Sequence, residues 1–364
     1  MTNIPVVGDM LEFAMQFRAT NSKILFIQNL RAIAIISIVL GHVLSQNTDN
    51  FFVLTGINLA RGNTALFVFI SGYFLPRLYR NGRDYKKFIR KKLVNLAVPY
   101  LFLSGLILFY YLITDVNLPP LPVQNRFLSG LNSFEIALLE ILRGSILSPY
   151  WYIPFILFVF ILSPVYITFI KYSFRTQILV TVFLLFISSL IWRPVGNFLI
   201  IQSVIYYTPF YLFGIFFYQR ESYIFPVISK YWKWCLSLLV FILLSMNAER
   251  QVGNLNKSNP FDFEGFDLMV PQKLLLILVL LFVCNKFLNK EIPVLDAIAR
   301  YSFPIYFLHE IFFFLLLKNE QFHNFARHSL SSFLMGFLVL FLSFVSAVIV
   351  KAILGSKSKY FVGY

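Results

Sequence analysis

The sequence predicts an all-α integral membrane protein, a bundle of about ten transmembrane helices with both termini in the cytoplasm. Three observations carry that prediction. Of 364 residues, 59% are hydrophobic and 13% charged, with a mean hydropathy of +0.75, far from the composition of a soluble globular domain. Ten apolar stretches are long enough to cross a bilayer once tilt and short helices are allowed. The basic residues gather in alternate connections, as the positive-inside rule requires. The formal net charge of +15 does not point to nucleic acid, because the charges sit in short connections between apolar spans and not on a soluble basic face.

The spans lie near residues 25–44, 62–76, 93–113, 151–170, 177–192, 198–218, 232–247, 269–284, 299–317 and 333–353. Residues 1–23 carry Asp9 and Glu12 and have no basic stretch running into an apolar core, so they read as a cytoplasmic lead and not a cleaved signal peptide. The second span is short and follows the apolar stretch 51–60, which makes its start the loosest boundary. Between the second and third spans stand Arg77, Arg80, Arg83, Lys86, Lys87, Arg90, Lys91 and Lys92, and eight cations in one loop place it in the cytoplasm. With charges near helix ends assigned to the nearer side, the inner side receives 21 of the 31 Lys and Arg, the outer side nine, and Arg31 is left within a helix. Asp and Glu divide six to nine in the opposite sense, with Glu310 left within a helix.

Of the outer segments, 114–150 begins with Leu118-Pro119-Pro120-Leu121-Pro122, which resists regular structure. It continues into 134–147, whose apolar residues at helical spacing predict a helix lying on the outer surface. The segment 248–268 is polar and mildly acidic. Cys235 and Cys284 fall at cytoplasmic helix ends, where thiols stay reduced, and no disulfide framework is indicated. There is no repeat of fixed period. The domain reading is therefore a lead at 1–23, one transmembrane domain at 24–354 and a cytoplasmic tail at 355–364.

The first span places Arg31 and His42 in an otherwise apolar run. The residues between them turn the helix by about 1100°, about 20° past three full turns, so both project from one face about 16 Å apart, with Ile35 and Ile38 between them. An intramembrane arginine costs about 2.5 kcal/mol or more and reads as functional by default. The plainer reading has Arg31 snorkelling to the inner headgroups and His42 sitting at the opposite interface. A histidine is the side chain best suited to exchange a proton near neutral pH, which makes His42 a candidate general base.

Other constellations carry two readings each. Ser71-Gly72 permits close helix approach. Trp151 and Tyr152, beside Pro149 and Pro154, suit an interfacial aromatic belt or a binding wall. In the ninth span His309 and Glu310 are adjacent and point about 100° apart, so they are expected to face different neighbours, with Glu310 a geometric partner for Arg31. No metal site is indicated: His323 and His328 are external and no HxxxH or HExxH pair occurs. Arg90, Lys91 and Lys92, at the mouth of the third span, serve topology and anionic lipid, or hold the phosphates of a soluble donor.

These stretches together resemble the membrane-bound acyltransferase-3 family, which includes O-acetyltransferases of lipopolysaccharide and exopolysaccharide. The resemblance covers nearly the whole chain. It rests on Arg31 and His42, spaced as the family spaces its arginine and histidine, and on the FFxxSGF-like stretch 66–74. It rests also on Arg90-Lys91-Lys92 leading to Pro99-Tyr100, on Pro149-Tyr150-Trp151-Tyr152-Ile153-Pro154, which is similar to the family's WFL element, and on 302–309, similar to its SYPIYLLH. Where the family often has an RxxR pair, Lys92 and Asn95 stand, which puts the cationic contact on Arg90, Lys91 and Lys92 instead.

The resemblance implies transfer of an acyl group, usually acetyl from acetyl-CoA, to a sugar hydroxyl across the plasma (inner) membrane. The acceptor would be an exopolysaccharide, O-antigen or lipid-linked oligosaccharide, and no cofactor would be held permanently. His42 would act as base for direct transfer or carry the acyl group covalently. Arg31 would position the donor or hold the bundle through an ion pair, with Ser71, Trp151, Tyr152, His309 and Glu310 lining or supporting the acceptor side. Two other classes remain open on the residues alone. One is a transporter or flippase of a lipid-linked sugar, which ten helices with buried charge would also serve. The other is a non-catalytic membrane subunit of polysaccharide synthesis, in which Arg31, His42, His309 and Glu310 would be pairing residues only.

Overall fold

The computed structural model describes residues 24–44, 50–80, 85–114, 132–191, 193, 200–248, 265–327 and 329–363. The N-terminal lead, the proline-rich stretch 118–122, His328 and most of 248–268 lie outside the described residues. Helix accounts for 89% of the structure, and no strand occurs among the described residues.

Helix α1 (Leu25–Val43) is the axis of the bundle, with Phe26, Ile27, Leu30, Ala34, Ile35, Ile38 and Val39 all buried. Next come α2 (Phe51–Ala60), whose first amides are accepted by the Asn50 side chain, and α3 (Thr64–Arg80). They break at Gly62, which has φ +77°. The supposed basic loop is largely helical: α4 (Tyr85–Lys92) runs through a π-helical turn at Leu93–Ala97 into α5 (Val98–Thr114). The wide turn has a local cause. Pro99 has no amide for the Asn95 carbonyl, so the ladder re-registers, and Val98 N–H reaches back to Leu93 O.

The surface helix predicted at 134–147 is α6 (Ser133–Arg143), opened by a capping box between Asn132 and Glu135. The fourth predicted span is two helices, α7 (Tyr152–Ile161) and α8 (Ser163–Ile170), parted ahead of Pro164. Long helices follow: α9 (Phe174–Leu190), α10 (Ile200–Gln219), α11 (Glu221–Ala248) and α12 (Met269–Lys286). Then α13 (Pro293–Arg300) meets α14 (Ser302–Leu317) at 76°, since Pro304 cannot extend the ladder back to Arg300. The short α15 (Glu320–Arg327) leads to α16 (Ser329–Leu354), and a final turn α17 (Lys359–Val362) lays Phe361 edge-on against Phe102 of α5.

Each of the ten predicted stretches is thus helical. Among the described residues, seven helices or continuous helix pairs are long and apolar enough to cross a membrane, rising to nine if two bent pairs count as spans. The remaining stretch, α9, is apolar but has only 17 residues.

The tightest helix contact is between α3 and α10. A Cβ on Gly72 would lie 2.0 Å from the Tyr211 carbonyl oxygen, and one on Gly214 would lie 2.1 Å from that of Phe69. Both are below any real contact, so each glycine faces the backbone of the opposite helix and no other residue fits. This is the close approach that Ser71-Gly72 implied, with Gly214 as its unforeseen partner. The crossing fixes the wall on which Phe67, Ser71 and Tyr211 stand.

Candidate functional site

Arg31 and His42 do share one face of α1, and each opens into its own cavity. The first has about 600 Å³ of empty space and is lined by Arg31, Ser71, Phe88, Lys92, Phe160 and Tyr211, among others. The second is tighter, with room for little more than one water, and is lined by Ile38, His42, Thr64, Pro149, Trp151, Ser302 and Tyr306. Phe67, Tyr152 and Phe303 line both. Three aromatic side chains therefore form a septum between two chambers whose walls are mainly apolar.

In the larger chamber the cations rest on aromatic faces. The Arg31 guanidinium lies 5.1 Å from the Phe303 ring centre, and Lys92 Nζ lies 4.4 Å from that of Phe160 and 5.7 Å from that of Phe88. Neither has a carboxylate within ion-pair distance among the described residues. Successive residues of α4 point about 100° apart, so Lys92 turns inward while Arg90 and Lys91 are exposed. The three adjacent cations do not form one cluster.

Around His42 the pairing differs from the expectation. Glu310 does not pair with Arg31; its Oε2 lies 3.8 Å from His42 Nδ1. Nor do His309 and Glu310 face different neighbours, since the His309 ring centre is 5.3 Å from that of His42. The 100° between successive residues of α14 lets them flank one imidazole on α1. Buried His309 directs Nδ1 at the carbonyls of Tyr306 and Ile305, 2.7 and 3.1 Å away. A carbonyl only accepts, so Nδ1 carries the proton, and in the neutral ring Nε2 keeps a lone pair.

The two sequence motifs that line this chamber are fastened to each other. Tyr150 donates to the Phe307 carbonyl at 3.0 Å, and Tyr306 donates to the Pro149 carbonyl. Tyr152 packs edge-on to Tyr306, and Trp151 stacks on Tyr207 at 5.8 Å. Trp151 and Tyr152 are accordingly wall, not interfacial belt, and Tyr152 is 5% exposed.

His42, His309 and Glu310 each offer a ligand atom within 4.8 Å of the others, a set no linear spacing could reveal because it joins two helices. Two imidazoles and a carboxylate match the donors a zinc-like ion takes. As a proton-transfer group, an imidazole beside a carboxylate, the same atoms need no added charge.

A septate bundle of apolar helices with cations on one side and an imidazole–carboxylate pair on the other defines a helical membrane protein built for polar chemistry. A family model described as an acyltransferase domain, acyltransferase-3, matches residues 24–354, and the chain belongs to that family. It is therefore a membrane acyltransferase. No curated protein and no solved structure matches the chain.

Proposed function

We propose that the protein moves an acyl group, acetyl from acetyl-CoA, from the cytoplasmic side of the plasma membrane to a hydroxyl of an exported or cell-surface saccharide. The observation that carries this reading is the pair of chambers meeting at Phe67, Tyr152 and Phe303. In it the chain makes ten spans, with α9 the shortest, and both termini are cytoplasmic.

The larger chamber suits the donor, since Arg31 and Lys92 lack carboxylate partners among the described residues and coenzyme A is a polyanion. The thioester reaches toward the septum, and the saccharide hydroxyl enters the smaller chamber. His42 takes the hydroxyl proton as oxygen attacks the thioester carbonyl. The thiolate then leaves and recovers a proton from the imidazolium. Glu310, at 3.8 Å, stabilises that imidazolium. A covalent route, with the acyl group first on His42, uses the same residues.

The test supplies radiolabelled acetyl-CoA to purified protein in vesicles with candidate saccharides. The expected result is alkali-labile label on saccharide. Saccharide flux without label would replace the reading with transport. Acyl label trapped on the protein in the absence of saccharide would select the covalent route.

A further inference from the structure

Two acceptor atoms beside His42 are buried and make no hydrogen bond among the described residues: His309 Nε2 and Glu310 Oε2. A buried polar atom without a partner costs free energy, so two of them gathered around one imidazole call for a ligand that brings positive charge. His309 is 0% exposed, and its ring cannot turn the lone pair away, because Nδ1–H is held by the Tyr306 and Ile305 carbonyls. One ring N–H on a backbone carbonyl and the other nitrogen left bare is the usual arrangement of a metal-binding histidine.

The separations agree. His42 Nδ1 and Glu310 Oε2 are 3.8 Å apart, too far for a hydrogen bond. Two ligands of one tetrahedral ion, each about 2.1 Å from it, stand about 3.4 Å from each other, only a few tenths of an ångström closer. The ligand atoms of His42, His309 and Glu310 all lie within 4.8 Å of one another. The helix that supplies two of them is fastened from behind, where Tyr150 donates to the Phe307 carbonyl and Tyr306 to the Pro149 carbonyl. The His42 and Glu310 side chains, 27% and 16% exposed, have the freedom to close the remaining gap.

Magnesium and calcium select oxygen donors, whereas zinc and its neighbours take imidazole readily. We propose that His42, His309 and Glu310 form a site for one divalent transition ion of the zinc class, and that the ion switches acyl transfer off. A neutral imidazole has one lone pair. Once an ion holds the lone pair of His42, the ring no longer takes a proton from a hydroxyl. The switching role rests on the acyl-transfer reading, but the site itself is testable without donor or acceptor.

The chain has four histidines, so H323Q/H328Q leaves only the two at this site. That protein is purified without a histidine tag, stripped with EDTA and titrated in detergent with Zn²⁺ against a chromophoric chelator. A parallel titration with Co²⁺ is read by visible absorption. About one ion per chain should bind, and cobalt should give the intense band of a four- or five-coordinate site. H309A and E310Q should each weaken binding about tenfold or more, and E310Q keeps the side-chain shape should H309A fail to fold. No ion on folded H323Q/H328Q protein overturns the proposal, as does unchanged affinity in folded H309A or E310Q. In vesicles given labelled acetyl-CoA and saccharide, Zn²⁺ should stop transfer and EDTA should restore it. Ion binding that leaves the transfer rate unchanged overturns the switching role. Ion binding by a protein that transfers no acyl group under any condition leaves the site standing and removes the enzymatic reading.

Discussion

The two ends of α1 handle charge in opposite ways. Around Arg31 the positive groups lie on aromatic rings and have no carboxylate partner among the described residues. Around His42 a carboxylate stands at 3.8 Å and a second imidazole close by. A ring face holds a cation loosely and leaves its hydrogen-bond donors available, whereas a carboxylate next to an imidazole stabilises a proton on it. The comparison teaches that one end of the helix is arranged to receive negative charge and the other to accept a proton.

The largest expected effect breaks the His42 end. His42→Ala should lower acyl transfer about 100-fold to 10,000-fold while far-UV circular dichroism stays unchanged. A folded variant at close to wild-type rate would remove His42 from the chemistry and make His309 the next residue to test. Glu310→Gln keeps the shape and removes the charge. It should lower kcat about tenfold to 100-fold, as the loss of one charge-assisted contact does, without changing the Michaelis constant for acetyl-CoA. A donor-side change instead would move Glu310 into the other chamber's account.

The Arg31 end is probed more gently. Lys92→Gln should raise the donor Michaelis constant about tenfold, the worth of one charge-assisted hydrogen bond, while Arg90→Gln with Lys91→Gln stays within about twofold of wild type. Equal effects from both variants would mean that the split between inward Lys92 and outward Arg90 and Lys91 has no functional meaning. The smallest effect concerns the seam between the chamber walls. Tyr306→Phe removes the donor to the Pro149 carbonyl and should cost about 1 kcal/mol, read as a fall of a few degrees in thermal unfolding in detergent.

Local sequence carried the helices, because apolar length and the charges flanking it are local properties. The shared face of Arg31 and His42 was equally legible, since helical period alone sets it. What the sequence could not show lay in contacts between distant segments. Glu310 reaches His42 across 268 residues of chain, and charge complementarity alone pointed to Arg31 instead. Lys92 parts from Arg90 and Lys91 through the 100° step between successive residues of α4, and only the packing around that helix decides which of the three faces in. The reciprocal bonds joining Pro149 and Tyr150 to Tyr306 and Phe307 likewise joined two motifs that the sequence listed separately.

The septum of Phe67, Tyr152 and Phe303 also bears on energy conversion. A wet path from one face to the other, passing a histidine and a glutamate, would conduct protons. Each one crossing dissipates about 2.3 kcal/mol per 100 mV of membrane potential. In the proposed transfer across the bilayer, three rings between the chambers serve as electrical insulation that keeps the two aqueous phases uncoupled. Opening that barrier by Phe67→Ala together with Phe303→Ala should make vesicles carrying the protein leak an imposed pH gradient even when no donor is supplied.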